Sequence, residues 1–200
     1  MGNGVVISAA VEGIVDEALA RALIVFAGAI PGPTYGKEGK PFLRQRIAGY
    51  NAAARHAPWL VLVDLDREHD CAPALRAAWL PQRVPRLCFR VAVRAIEAWL
   101  LADVEQIAVF LSVAREKVPR DPEALTNPKA ALVQLARGSR RKGVREDIVP
   151  RDGSGRSVGP AYASRLIEFI STSWRPHIAA QQAASLQRAI DCLKWLATLT

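Results

Sequence analysis

The sequence predicts an α/β fold: a mostly parallel four-stranded sheet flanked by helices, followed by a C-terminal helical extension. Three observations predict it. Short apolar, β-branched runs recur at Val5–Val11, Trp59–Val63 and Arg86–Val93, the pattern of strands buried on both faces. Helical stretches separate these runs, so crossover connections must join them. Strand signals stop after Asp103.

Val5–Val11 reads as the first strand. Asp16–Ala27 follows as a helix, with Asp16 and Glu17 suited to its positive end and Leu19, Leu23 and Phe26 on one face. Pro31 to Gly39 is rich in turn residues, with room for a short strand. Pro41–Arg55 reads as a helix, and Pro58 introduces the clearest strand, Trp59–Val63, which ends in Asp64-Leu65-Asp66. A helix near Ala72–Leu80, the strand Arg86–Val93 and a helix over Arg94–Asp103 complete the first part. Ala108–Val113, Pro122–Leu125, Pro128–Ala136, Ala161–Ser171 and Ala183–Leu196 read as helical, and residues 137–159 as a basic, Gly-rich loop. A soft boundary near 104 divides an α/β core, residues 1–103, from a helical extension, 104–200, packed on it as one structural unit.

The chain has 200 residues, half of them hydrophobic, and a formal net charge of +8. That composition is globular rather than disordered. The positive charge comes mostly from Arg, which binds phosphate oxygens bidentately. Cys71, Cys88 and Cys192 are odd in number and far apart. They predict no disulfide framework, no zinc module and a reducing, cytoplasmic compartment. The start lacks a signal-peptide pattern, and Met1-Gly2-Asn3 lacks the hydroxyl residue a myristoylation site needs, having Val6 there. No apolar run approaches the roughly 20 residues that span a bilayer.

Asp64 and Asp66 are two apart, so an extended chain points both carboxylates the same way. They end a buried strand, where open α/β sheets place ligands. Two adjacent carboxylates repel unless a cation lies between them, and oxygen-only ligands favour Mg²⁺ or Mn²⁺. Glu12-Gly13 ends the first strand, and right-handed crossovers bring both strand ends to one edge. Glu68, His69 and Asp70 extend the acidic patch. A solvated strand end with Asp capping the next helix is the plain alternative.

The stretches Val11-Glu12-Gly13-x-x-Asp16-Glu17, Val63-Asp64-Leu65-Asp66-x-x-x-Asp70-Cys71 and Arg90-x-x-x-Arg94-Ala95-x-Glu97-x-Trp99-Leu100-Leu101-x-Asp103 resemble the Toprim (Rossmann-like) domain. That domain is shared by topoisomerases, bacterial primases, recombination mediators and overcoming-lysogenisation-defect nucleases. With Asn127-Pro128-Lys129, Ser139-Arg140 and Gly159-Pro160-x-Tyr162, the likeness is closest to a bacterial Toprim-like family, domain of unknown function 4276. The resemblance implies that Glu12 acts as acid or base and that Asp64 and Asp66 hold Mg²⁺. Lys129 is counted with the candidate phosphate-binding residues. The resemblance also implies an ATPase partner and anti-phage defence. Topoisomerases continue D-x-D-x-D-G; here the third acid is Glu68 with no Gly after it, which sets this chain apart from their chemistry.

Arg94 and Glu97 are three apart on a predicted helix and so share a face. Read functionally, Glu97 holds a second metal and Arg90 or Arg94 a phosphate, clamping a phosphodiester displacement; read plainly, they are a local ion pair. Asp103 is expected to cap the following helix. Seven basic residues lie between Arg137 and Arg156, including Arg140 and Arg141. Such a loop can track a nucleic-acid backbone without reading sequence; otherwise it is simply solvated. Tyr162 is suited to stack on or position a phosphate, or to be buried.

Gly32 to Glu38 is one residue short of a Walker A loop and has Glu38 in place of its hydroxyl; Gly153 to Gly159 is no dinucleotide fingerprint. His56, His69 and His177 are scattered. The expected function is a Mg²⁺-dependent nuclease or related phosphoryl-transfer enzyme acting on nucleic acid. The alternatives are a non-catalytic, nucleic-acid-binding interaction subunit and, less favoured, a haloacid-dehalogenase-type phosphatase, which wants Thr or Val where Glu68 stands.

Overall fold

In a computed structural model, residues 4–66 and 69–199 are described. Glu68 of the acidic patch and the Met1–Asn3 start lie outside them.

The first strand, β1 (Val6–Val11), passes into α1 (Ile14–Phe26), which carries Asp16 and Glu17 in its first turn. Next come β2 (Ile30–Gly36), α2 (Lys40–Ala53), β3 (Trp59–Asp64), α3 (Ala72–Trp79) and β4 (Leu87–Ala92). The turn-rich stretch therefore does hold a strand. The sheet is entirely parallel, in the order β2-β1-β3-β4. Parallel neighbours need long crossovers, and the intervening helices supply them.

Two compact units emerge. The first runs to Val93 and regains the chain at Ala184; the second is 94–183. The last helix, α10 (Ala184–Ala197), thus belongs with the sheet. Alternation along β4 assigns its faces. Leu87, Phe89 and Val91 join Leu43, Ile47, Leu75 and Trp79 of α2 and α3 in one apolar core. Cys88, one residue out of phase with these, meets Cys192 of α10.

That pairing corrects the expectation of no disulfide. Cys88 and Cys192 are bonded, 104 residues apart in sequence, with Cα atoms 6.0 Å apart, inside the usual disulfide range of roughly 4.4–6.8 Å. Spacing along the chain carries no trace of a contact made by an edge strand and a returning terminal helix. Cys71 is free and exposed.

The second unit contains α4 (Ile96–Leu101), α5 (Val104–Leu111), α6 (Pro128–Arg137), α7 (Lys142–Ile148), α8 (Tyr162–Thr172) and the short α9 (Pro176–Ala179). The basic stretch is therefore not one loop: α7 interrupts it, anchored by buried Val144 and Ile148. The helix expected from Arg94 starts only at Ile96, with Ala95 as its N-cap. Arg94 precedes it, and the shared-face argument for Arg94 and Glu97 fails. Asn127 caps α6, its side chain accepting the Ala130 N–H at 2.9 Å. No helix among the described residues is long and apolar enough to cross a membrane.

Candidate functional site

Parallel strands share a direction, so β1 and β3 end at the same edge of the sheet. There Glu12, just past β1, turns its Oε1 to accept the backbone N–H of Asp64 at 2.8 Å. A carboxylate from one strand end thus satisfies the last main-chain donor of its neighbour. Both residues are half-buried.

The expectation for Asp66 needs a correction in its reasoning. The extended chain stops at Asp64, and Asp66 adopts a left-handed backbone with φ 53°. Asp tolerates that conformation better than most side chains. Alternation therefore does not set its direction. Its Oδ2 pairs at 2.9 Å with Nζ of Lys40, which also donates to the Leu65 carbonyl at 3.3 Å. Lys40 is 8% exposed, whereas half of the Asp66 side chain faces solvent.

Local backbone geometry delivers Lys40. Gly36 ends β2 with φ 88°, and a Cβ there would strike the Val11 carbonyl, so only Gly fits. The Lys37 N–H then donates to the Val11 carbonyl at 2.8 Å and the Gly39 N–H to that of Glu12 at 3.0 Å. These bonds tie the start of α2 to the end of β1. Sequence reasoning passed over Lys40; its place one residue before Pro41 at a helix start was the available signal. It also passed over Asp16 as a site residue. Asp16 is 8% exposed, one turn along from Glu12, and a Cβ on Gly13 would meet its Oδ2 at 3.2 Å.

Three carboxylates on two strand ends are a hard, oxygen-only donor set suited to Mg²⁺. Among the described residues, however, no three His, Cys, Asp or Glu side chains form a group arranged to hold a metal ion. Mg²⁺ commonly takes one or two carboxylates and keeps its waters. Glu12 and Asp64 supply two carboxylates of that chemical type. Asp66 is engaged by Lys40.

Arg90 sits within β4. Glu97, Lys129, Arg94, Arg140 and Arg141 belong to the second unit. Glu97 is 3% exposed. Its Oε1 accepts the Tyr162 hydroxyl at 2.9 Å and lies 3.6 Å from Lys129 Nζ. Its Oε2 is buried with no hydrogen-bond partner among the described residues. Tyr162 reaches this position because Gly159 packs against the Asp147 and Ile148 backbone, where a side chain would clash. Asp103 caps α5 as expected, accepting the Gln106 N–H at 3.4 Å. It is also fully buried and gripped by Arg175 at 2.7 and 3.0 Å; these bonds hold the Arg175 guanidinium charged by raising its pKa. Arg140 and Arg141 are exposed, while Arg145 donates to the Ser139 carbonyl at 2.5 Å.

No protein-family model and no curated protein matches this chain. The likeness of its motifs to the Toprim-like family of unknown function therefore has no matching model behind it. Among solved structures, the C-terminal region of the Burkholderia pseudomallei OLD protein is similar, at 18% identity and a TM-score of 0.46, over 96% of this chain and 98% of that one.

Proposed function

We propose that the chain is a Mg²⁺- or Mn²⁺-dependent nuclease, or a related phosphoryl-transfer enzyme, built on a Toprim-like sheet. The observation that carries this reading is the 2.8 Å bond from the Asp64 N–H to Glu12 Oε1, which ties Glu12 to the end of the neighbouring strand. Glu12 and Asp64 would hold the cation, and Asp66 would join them when released from Lys40. Bound there, the cation would supply charge neutralisation for a phosphate. Glu12 would take a proton from an attacking water. Lys40, beside Asp66, adds a positive charge next to where phosphate oxygens would lie.

The substrate is nucleic acid in this proposal, supported by the net charge of +8 and the exposed Arg140 and Arg141. A second cation on Glu97, beside Lys129, extends the proposal on the chemistry of those side chains; an ATPase partner and a role in phage defence extend it on motif resemblance.

One observation favours a second reading. Lys40 already places an ammonium against Asp66, and a lysine standing in for a cation suits a non-catalytic, nucleic-acid-binding subunit. Cleavage assays separate the two. DNA and RNA are incubated with Mg²⁺ or Mn²⁺, alongside a generic phosphomonoester, using wild type and Asp64→Ala. The nuclease reading expects polymer cleavage that the variant loses. Monoester turnover without polymer cleavage would move the assignment to a phosphatase. Binding of nucleic acid that is indifferent to divalent ions and leaves it intact would favour the subunit.

A further inference from the structure

The sheet has a second charged region, on its outer strand. β4 is an edge strand, and arginines flank it from both sides: Arg76 from α3, Arg83 from the loop before β4, Arg90 from β4 itself and Arg188 from α10, the charges of the other three all acting on Arg90. Arg83 donates to the Leu87 carbonyl on the strand. Two cavities adjoin the cluster. One, of about 430 Å³, is lined by Arg76, Arg83 and Phe89; the other, of about 420 Å³, by Arg83, Arg90, Cys192 and Trp195. Both volumes fall in the range of roughly 300–1,000 Å³ typical of small-molecule sites.

The charges do not balance. Among the described residues, Asp191 is the carboxylate acting on Arg90 against three arginines, and its Oδ1 also accepts from Gln187 at 2.7 Å. Burial, together with Arg76, Arg83 and Arg188, pushes the Arg90 pKa down to about 10, and burial with Arg76 lowers that of Arg83. Like charges crowded in this way favour whatever anion can enter. Hydrogen bonding is incomplete as well. Nε of Arg76 and Nε of Arg90 are both buried with no partner among the described residues. Cations that merely guard an edge strand against pairing have no need to bury unpartnered donors. Guanidinium groups awaiting a tetrahedral oxyanion would keep such donors ready.

We propose that Arg76, Arg83, Arg90 and Arg188 form a phosphate-binding site on the outer strand, taking the non-bridging oxygens of a phosphoryl group. The site is independent of any metal at the Glu12–Asp64 edge. Its phosphate comes either from a nucleic-acid backbone or from a small phosphorylated ligand; both share the chemistry the arginines recognise.

The test uses the full chain in chelator, so the acidic edge holds no divalent ion. Calorimetry measures binding of inorganic pyrophosphate, and anisotropy measures a short labelled oligonucleotide across a salt series. The variants are Arg76→Gln with Arg188→Gln, both on helix surfaces, and separately Arg90→Gln; each is first checked for an unchanged circular dichroism spectrum. Pyrophosphate should bind wild type and bind either variant at least about ten-fold more weakly, the loss of one or two charged hydrogen bonds. If oligonucleotide affinity falls in parallel and its dependence on salt becomes shallower in the double variant, the phosphate belongs to nucleic acid. If pyrophosphate binding falls and the oligonucleotide is unaffected, the ligand is small. Equal pyrophosphate affinity in wild type and both variants, or no binding of either probe to wild type, overturns the proposal. Arg188→Lys keeps the charge and should retain part of the affinity. Should Arg90→Gln not fold, the helix-surface double variant decides alone.

Discussion

Glu12 and Asp64, 52 residues apart in the chain, are joined by a 2.8 Å hydrogen bond from the main chain of one to the carboxylate of the other. The bond sits where two parallel strands end together. It gives Glu12 a structural duty as well as the proposed chemical one, and the two can be separated.

Glu12→Gln keeps an oxygen that can accept the Asp64 N–H, whereas Glu12→Ala leaves that donor without it. Urea unfolding should show Glu12→Gln close to wild type and Glu12→Ala destabilised by about 1 kcal/mol. Divalent-ion affinity should fall in both. Equal stability for the two variants would show that the hydrogen bond contributes nothing to the fold.

In the proposed site, Lys40 would compete with a cation for Asp66. Replacing it with Met removes that ammonium, and Mn²⁺ should then bind about ten-fold more tightly, the order expected for one unit charge a few ångströms away in a partly solvated site. Calorimetric titration of Lys40→Met with Mn²⁺ checks this. Unchanged or weaker binding would mean that Lys40 does not shield the site.

Much of this arrangement was legible in the sequence. The apolar run from Trp59 and the acids that end it announced a buried strand with a polar terminus, and Glu12-Gly13 marked its neighbour. Lys40 could be placed at a helix start from Pro41, but its burial was not legible, because that depends on the close approach of Gly36 to Val11. The left-handed turn at Asp66 breaks the alternation that appeared to fix its direction, and no residue pattern nearby signals it. Cys88 and Cys192 were misread for a related reason: α10 returns to the first strand-bearing unit after ninety intervening residues of the second, 94–183. Contacts closed over such distances leave no local periodicity. Asp103, by contrast, lies directly before the helix it caps, so its role could be read at once.

Glu97 is nearly fully buried and depends on Tyr162 for its closest hydrogen bond. Tyr162→Phe keeps the ring and removes the donor. It should lower stability by about 1–3 kcal/mol, the cost of leaving a buried polar group unpaired, as read by denaturant unfolding. Glu97→Gln combined with Tyr162→Phe should lose less than the sum of the two single variants, because the pair is coupled. Additive losses would mean that the two side chains act separately.

The lowered pKa of Arg90 gives a signed pH dependence. In the folded chain the guanidinium loses its proton from about pH 10, dominated by burial and then by Arg76, Arg83 and Arg188; in the unfolded chain it keeps the proton to higher pH. The unfolded state therefore binds more protons in this window, and Arg90's contribution to stability rises with pH above about 10. Below it the charged group is a constant burden. Relative to Arg90→Gln, wild type should gain stability as pH increases from 9 to 11. A difference that stays flat would show that Arg90 is not desolvated.

The most direct measurement on the acidic edge is Mn²⁺ binding followed by electron paramagnetic resonance, in wild type and in Asp64→Asn, which keeps shape and removes charge. It needs neither a substrate nor a partner protein. Wild type should sequester Mn²⁺ that Mg²⁺ displaces, and folded Asp64→Asn should leave it free in solution. Equal sequestration by both proteins, or none by wild type, would contradict a cation site built on Glu12 and Asp64.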